Sequence, residues 1–124
     1  MFRVTQYLEE VRHPTPVGPK RHPPGPVVIW NLIRRCNLAC QHCYSISADV
    51  DFPGELSTPE IYRTMDDLKA FGVPVLILSG GEPLLHRDVF AISARAKAMG
   101  FYVGLSTNGT LIDDAMLPKV AAIG

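Results

Sequence analysis

The sequence predicts an α/β fold in which the strands run parallel. Three apolar runs, at 26–33, 73–79 and 101–106, are each followed at once by a loop carrying Cys, Gly-Gly or Asn-Gly, and the first two loops lead into stretches of helical periodicity. Strands that alternate with helices are joined by right-handed crossovers, which makes neighbouring strands parallel. Continuous apolar runs point the same way, because parallel strands are normally covered on both faces.

A chain of 124 residues holds one domain at most. At 47% hydrophobic residues it can build a core without disulfide staples. Its 12 Lys and Arg balance its 12 Asp and Glu, which argues against a protein that coats nucleic acid or an anionic membrane. The balance is uneven: residues 1–35 carry six basic against two acidic side chains, and the remainder six against ten. No apolar run approaches the roughly 20 residues that cross a bilayer, and the N-terminus lacks the apolar stretch of a secretory signal. The expected location is therefore the cytoplasm, with no membrane and no nucleic acid among the partners.

Residues 1–26 read as a basic, Pro-rich segment. Six of the 11 prolines fall between 14 and 26, where each removes a backbone donor and biases its predecessor toward extended conformation. The run 26–33 reads as a strand buried on both faces. Ser57-Thr58-Pro59-Glu60 offers an N-cap with Glu at the third helical position, and Ile61, Met65 and Leu68 recur at helical spacing until Gly72. A second strand at 73–79 leads through Gly-Gly-Glu-Pro to a helix over about 88–99, with Val89, Ile92, Ala96 and Met99 as its apolar stripe. The third strand, 101–106, leads through Thr107-Asn108-Gly109 to a helix expected to begin near Asp113, which Pro118 counts against unless it lies in the first turn. Three parallel strands cannot close a barrel, and eight βα units take about 250 residues. Residues 27–124 are therefore expected to be the N-terminal part of a longer core.

All three cysteines lie between 36 and 43, as C-x3-C-x2-C in the loop after the first strand. In α/β folds ligands bind at the loops that follow strand C-termini. An odd, tightly spaced set suits a metal or redox centre in a reducing compartment better than a disulfide framework. Thiolates are soft ligands, fit for an iron-sulfur cluster or for zinc. A 4Fe-4S cubane normally takes four Cys, so three leave one iron open to an exogenous ligand. A zinc site completed by His42, and plain buried cysteines, are the alternatives that spacing alone leaves standing.

Cys36-x3-Cys40-x2-Cys43 after the first strand, Ser79-Gly80-Gly81-Glu82-Pro83 after the second and Ser106-Thr107-Asn108-Gly109 after the third together resemble the radical S-adenosylmethionine (SAM) superfamily, in the family's own order. The resemblance implies a partial TIM-like (βα) barrel. It implies that Cys36, Cys40 and Cys43 hold a 4Fe-4S cluster whose open iron binds SAM, and that an electron from a donor protein cleaves SAM to a 5′-deoxyadenosyl radical. Gly80, Gly81, Glu82 and Pro83 would face the methionyl amino group. Ser106 and Asn108 would meet its carboxylate or the ribose, although Asn108-Gly109 also reads as a simple tight turn. His42 stands where the family commonly has an aromatic residue near the adenine.

The stretches 15–36 and 42–48 further resemble the radical SAM enzymes of modified-heme biosynthesis, heme d1 formation above all. That likeness implies an iron tetrapyrrole derived from siroheme as substrate, with propionate side chains removed and oxo groups installed. Lys20, Arg21, Arg34 and Arg35 could pair with its carboxylates, or form only a solvated basic face. A heme-pathway decarboxylase, a peptide-modifying radical SAM maturase and a non-enzymatic zinc-binding module are the competing function classes.

Overall fold

The computed structural model describes residues 11–13 and 25–123. The expected extended lead-in over 14–24, with Lys20 and Arg21, lies outside the described residues. From Val27 onward the order is β1 (Val27–Ile33), α1 (Thr58–Ala70), β2 (Val75–Gly80), a single 3-10 turn (Pro83–Leu85), α2 (Val89–Ala98), β3 (Tyr102–Leu105) and α3 (Leu117–Ala121). The strands form one parallel sheet in the order β1-β2-β3, with Val27 opposite Val75 and Val75 opposite Tyr102. The α/β class expected from the sequence is the observed one.

The helical stripes expected from the sequence form the core. Ile61 and Met65 of α1 and Val89, Ile92 and Ala96 of α2 are buried against Leu32, Leu76, Leu78 and Val103 of the sheet, with Leu68 and Met99 packed at the edge. Each fully buried aliphatic side chain contributes about 1.5–3 kcal/mol, so this layer supplies most of what holds the helices to the strands. At the start of α1 the Glu60 carboxylate accepts from the Ser57 amide at 2.8 Å and from its hydroxyl at 2.6 Å. Those bonds hold the Glu60 carboxyl below the usual carboxylate range. They also satisfy a donor that the first turn leaves without an intrahelical partner.

Two expectations need correction. The run 26–33 does not form a strand covered on both faces: Val27 is 52% and Ile29 60% exposed. That face of β1, with Val75, Ile77 and Gly104, lines an open apolar groove, which Val120 of α3 and Ile123 border as well. The last helix begins at Leu117, four residues later than expected. The Asp113 carboxylate there accepts from the Met116 amide at 2.7 Å and its carbonyl from the Leu117 amide at 2.9 Å, which makes a separate turn before the helix. Pro118 then sits in the first helical turn, where its missing N–H costs nothing.

Candidate cofactor site at the strand ends

The site is built from the end of β1. Register slips between Asn31 and Ile33, so Leu32 and Ile33 are both buried and the strand bends toward the loop after β2. There the Gly81 amide donates to the Ile33 carbonyl at 2.7 Å and the Glu82 amide to the Arg35 carbonyl at 2.9 Å. A Cβ on Gly80 would stand 2.4 Å from the Ile33 carbonyl oxygen, and one on Gly81 2.5 Å from the carbonyl oxygens of both Arg34 and Arg35. The glycine pair is thus required by the backbone that leads into Cys36.

Glu82 is fully buried. One carboxylate oxygen accepts from the Leu84 amide at 2.9 Å and the Thr107 hydroxyl at 2.7 Å, and the other from the Asn108 amide at 2.8 Å. A buried carboxylate needs such donors to offset its lost hydration. Its effect is to tie the loop after β2 to the loop after β3. Glu82 was expected to grip a ligand amino group, but both its oxygens are already engaged within the chain. Pro83, directly after it, is buried in the short 3-10 turn.

The cysteine loop starts and ends beside itself. Arg35 bridges Ala48 in parallel and the Cys36 amide donates to the Ala48 carbonyl at 3.1 Å, closing the segment between them. Cys36 is buried at its base, whereas Cys40 and Cys43 are exposed, and all three thiols are free. The Cys43 amide donates to the Cys40 carbonyl at 3.1 Å, a turn that carries the exposed His42 between them. Across the rim, Asn108 contacts the Cys36 sulfur at 3.9 Å and Asn37 at 3.0 Å. Ser106 lies exposed on the same rim. Asn37 and Thr110, which join Asn108 in that contact, were not singled out from sequence: Asn37 is an unspecified position of the cysteine motif, Thr110 follows directly after Asn-Gly, and the bond that joins them spans 73 residues.

The two arginines that follow β1 are occupied by their own loop. The Arg35 guanidinium donates to Asp49 at 2.8 Å and to Asp51 at 3.1 Å, and the bond to Asp49 pushes its pKa up. The Arg34 amide donates to the Glu55 carboxylate at 2.6 Å, while its guanidinium lies 4.2 Å from the Phe52 ring centroid. Substrate carboxylates and a plain solvated basic face were the two readings of this pair. Arg35 already has two carboxylates as partners, and Arg34 stacks on an aromatic ring.

The three strand-end loops therefore meet in sequence order at one rim: cysteines from the first, Gly-Gly-Glu-Pro from the second and Ser-Thr-Asn-Gly from the third. The sequence profile of the Radical SAM superfamily matches residues 30–124, which takes in all three. The chain belongs to the radical SAM superfamily. Over all 124 residues it is 55% identical to the pre-heme d1 synthase of Dinoroseobacter shibae, covering 31% of that protein. It is 48% identical over 99 residues, 80% of the chain, to the Fe-coproporphyrin III synthase of Methanosarcina barkeri, covering 25% of it. It is 42% identical over 98 residues, 79% of the chain, to the AdoMet-dependent heme synthase of the same organism, covering 28%. The chain thus spans less than a third of the length of each of these relatives.

Radical SAM proteins generally use a 4Fe-4S cluster and SAM, and the donor set here fits such a group. Three unpaired thiols share one short loop. Among the described residues no three His, Cys, Asp or Glu side chains are gathered closely enough to hold a single ion. A cubane would take each of the three thiolates on a different iron and leave its fourth iron open.

Proposed function

We propose that this chain carries the cluster-binding and SAM-binding part of a radical SAM enzyme that acts on an iron tetrapyrrole of a heme pathway, heme d1 formation first among them. The observation that carries the reading is the meeting of the three strand-end loops at one rim, in a chain whose relatives are named for heme d1, Fe-coproporphyrin III and heme synthesis. In this reading residues 27–124 are the opening βα units of a larger barrel, and the open face of the sheet is its interior side.

Cys36, Cys40 and Cys43 would hold the cluster as thiolates. When bound, the cluster and SAM would supply one-electron cleavage of the SAM sulfonium bond and so a radical able to take a hydrogen atom from the substrate. Gly80, Gly81 and Pro83 shape the rim against which SAM would lie, and Glu82 holds the loops after β2 and β3 in mutual register. Ser106 offers a hydroxyl on the same rim, and His42 an imidazole between two ligand cysteines. Substrate carboxylates would be met by Lys20 and Arg21, with Arg34 and Arg35 contributing through the loop they stabilise. An electron-donor protein would reduce the cluster.

The test is an anaerobic incubation of the full-length protein with SAM, a low-potential reductant and either a siroheme-derived iron tetrapyrrole or iron coproporphyrin, with products read by mass spectrometry. Loss of propionates with gain of oxo groups on the siroheme-derived substrate is the expected result. Vinyl groups formed on iron coproporphyrin would instead make it a heme-pathway decarboxylase. Binding of a leader peptide with no affinity for either tetrapyrrole would overturn the heme reading.

A further inference from the structure

We infer that Asn108 is a positioning residue for Cys36: its side-chain amide, locked in one orientation by a closed ring of hydrogen bonds with Asn37 and Thr110, donates to the Cys36 sulfur and so raises the reduction potential of the cluster that this cysteine would hold. The inference rests on the proposed cluster reading and goes beyond it, since family membership assigns no such contact.

The ring fixes which way the amide points. Asn108 Oδ1 accepts from the Thr110 backbone amide at 2.9 Å, and a backbone N–H can only donate, so the oxygen must lie on that side. Thr110 Oγ1 donates to the same oxygen at 2.7 Å and accepts from Asn37 Nδ2 at 2.8 Å. Asn37 Oδ1 in turn accepts from Asn108 Nδ2 at 3.0 Å, which closes the ring. One hydrogen of Nδ2 remains, and the atom it meets is Cys36 Sγ at 3.9 Å. Both lone pairs and both hydrogens of the Asn108 amide are then used inside the chain. This leaves no free valence for the SAM carboxylate or ribose, one of the two readings of Asn108 from the sequence, the other being a tight turn. The Asn108 main chain is held separately, by its amide bond to Glu82 at 2.8 Å.

A donor aimed at a ligand sulfur favours the state with more negative charge on the cluster. Reduction adds one electron, and no bond at Asn108 is made or broken. Removing the donor therefore lowers the potential.

The experiment is an anaerobic redox titration of the reconstituted full-length protein, followed by electron paramagnetic resonance of the reduced cluster. Asn108→Leu keeps the backbone bond to Glu82 and removes the donor. It is expected to shift the one-electron equilibrium roughly tenfold toward the oxidised form, ~59 mV more negative. Thr110→Val opens the ring at an exposed side chain while leaving the backbone bond to Asn108 Oδ1, and is expected to shift it about twofold, ~18 mV, in the same direction. A role confined to folding would lower cluster content without moving the potential of the clusters that form. An unmoved potential in Asn108→Leu, or in Thr110→Val where Asn108→Leu takes up no cluster, overturns the inference alone. Failure of the unaltered protein to bind any cluster overturns it together with the proposed function.

Discussion

The loop after β1 and the loops after β2 and β3 reach the same rim by opposite means. The first is long and mostly exposed, with Leu38, Cys40, Cys43, Tyr44 and Ile46 all open to solvent. It is held at its base by main-chain bonds to Ala48, Gly81 and Glu82 and at its flank by surface ion pairs to Arg35. The other two are short and are joined through a carboxylate that solvent does not reach. The difference separates chemistry from stability. The exposed thiols proposed as ligands stay accessible because little packs on them, and a buried frame beside them fixes where the loop begins.

That separation predicts that the largest functional effect comes with almost no change in folding. In the full-length protein reconstituted without oxygen, Cys40→Ala is expected to abolish reductive formation of 5′-deoxyadenosine. The chain's unfolding free energy, measured without cluster, should move by no more than about 0.5 kcal/mol, as for other exposed substitutions. Cys43→Ala should behave alike. SAM cleavage by Cys40→Ala at the unaltered rate would remove the cluster assignment.

Glu82→Ala should show the reverse pattern, with a large loss of stability. Three donors, the Leu84 and Asn108 amides and the Thr107 hydroxyl, would lose their acceptor. The Leu84 donor is buried and the other two are part-buried; an unmet buried donor costs about 1–3 kcal/mol and a part-buried one less, so a loss of roughly 3 kcal/mol is expected in urea unfolding. Glu82→Gln keeps one acceptor oxygen and turns an NH2 group toward a donor, for a loss of about 2 kcal/mol. If both variants unfold at the same urea concentration as the unaltered protein, Glu82 does not bind the two loops together.

Much of this frame is legible in the sequence, but not its wiring. Local signals carried the helices: Ser57 with Glu60 marked the start of α1, and the stripes Ile61-Met65-Leu68 and Val89-Ile92-Ala96 marked the buried sides. The position of the Cys, Gly-Gly-Glu-Pro and Ser-Thr-Asn-Gly motifs directly after strands placed them at one end of the sheet. What failed was everything set by distant partners. Glu82 reads as a loop acid from its neighbours, and only the approach of Thr107 and Asn108, 25 and 26 residues on, makes it a buried tie. The apolar run of β1 reads as two-sided, yet which faces are covered depends on elements elsewhere. The start of α3 moved because Asp113 used its carboxylate to close a turn, a choice that periodicity does not show.

The Gly-Gly pair sharpens the comparison at a single atom. Gly81→Ala would put a methyl 2.5 Å from two carbonyl oxygens that belong to the backbone entering the cysteine loop. Relief requires moving that backbone, at about 1–3 kcal/mol by analogy with overpacked cores, and displaces Cys36 with it. Gly109, at φ +75°, has open space where its Cβ would be, so Gly109→Ala costs only the left-handed backbone penalty of about 1–2 kcal/mol. Gly81→Ala is therefore expected to lose both stability and cluster occupancy, and Gly109→Ala some stability with occupancy kept. Equal cluster content in the two variants, read from iron and sulfide per chain, would show that the Gly81 contact does not govern the ligand loop.

The smallest effect is expected at the flank of the exposed loop. Arg35 is paired with Asp49 and Asp51, but its side chain is 41% exposed and theirs are 61% and 92% exposed. Water and salt screen such pairs, so Arg35→Ala should cost little stability, and that loss should vanish as ionic strength rises past the point where the Debye length drops below about 10 Å. Pairing raises the Arg35 pKa from a value already far above neutrality, so the loss should not vary between pH 6 and 8. The same variant tests whether Arg35 also serves a substrate. If its only partners are Asp49 and Asp51, the Asp49→Asn, Asp51→Asn double variant should leave tetrapyrrole affinity unchanged. If the guanidinium is shared, freeing it from those carboxylates should tighten tetrapyrrole binding, and Arg35→Ala should weaken it, both most clearly at low salt.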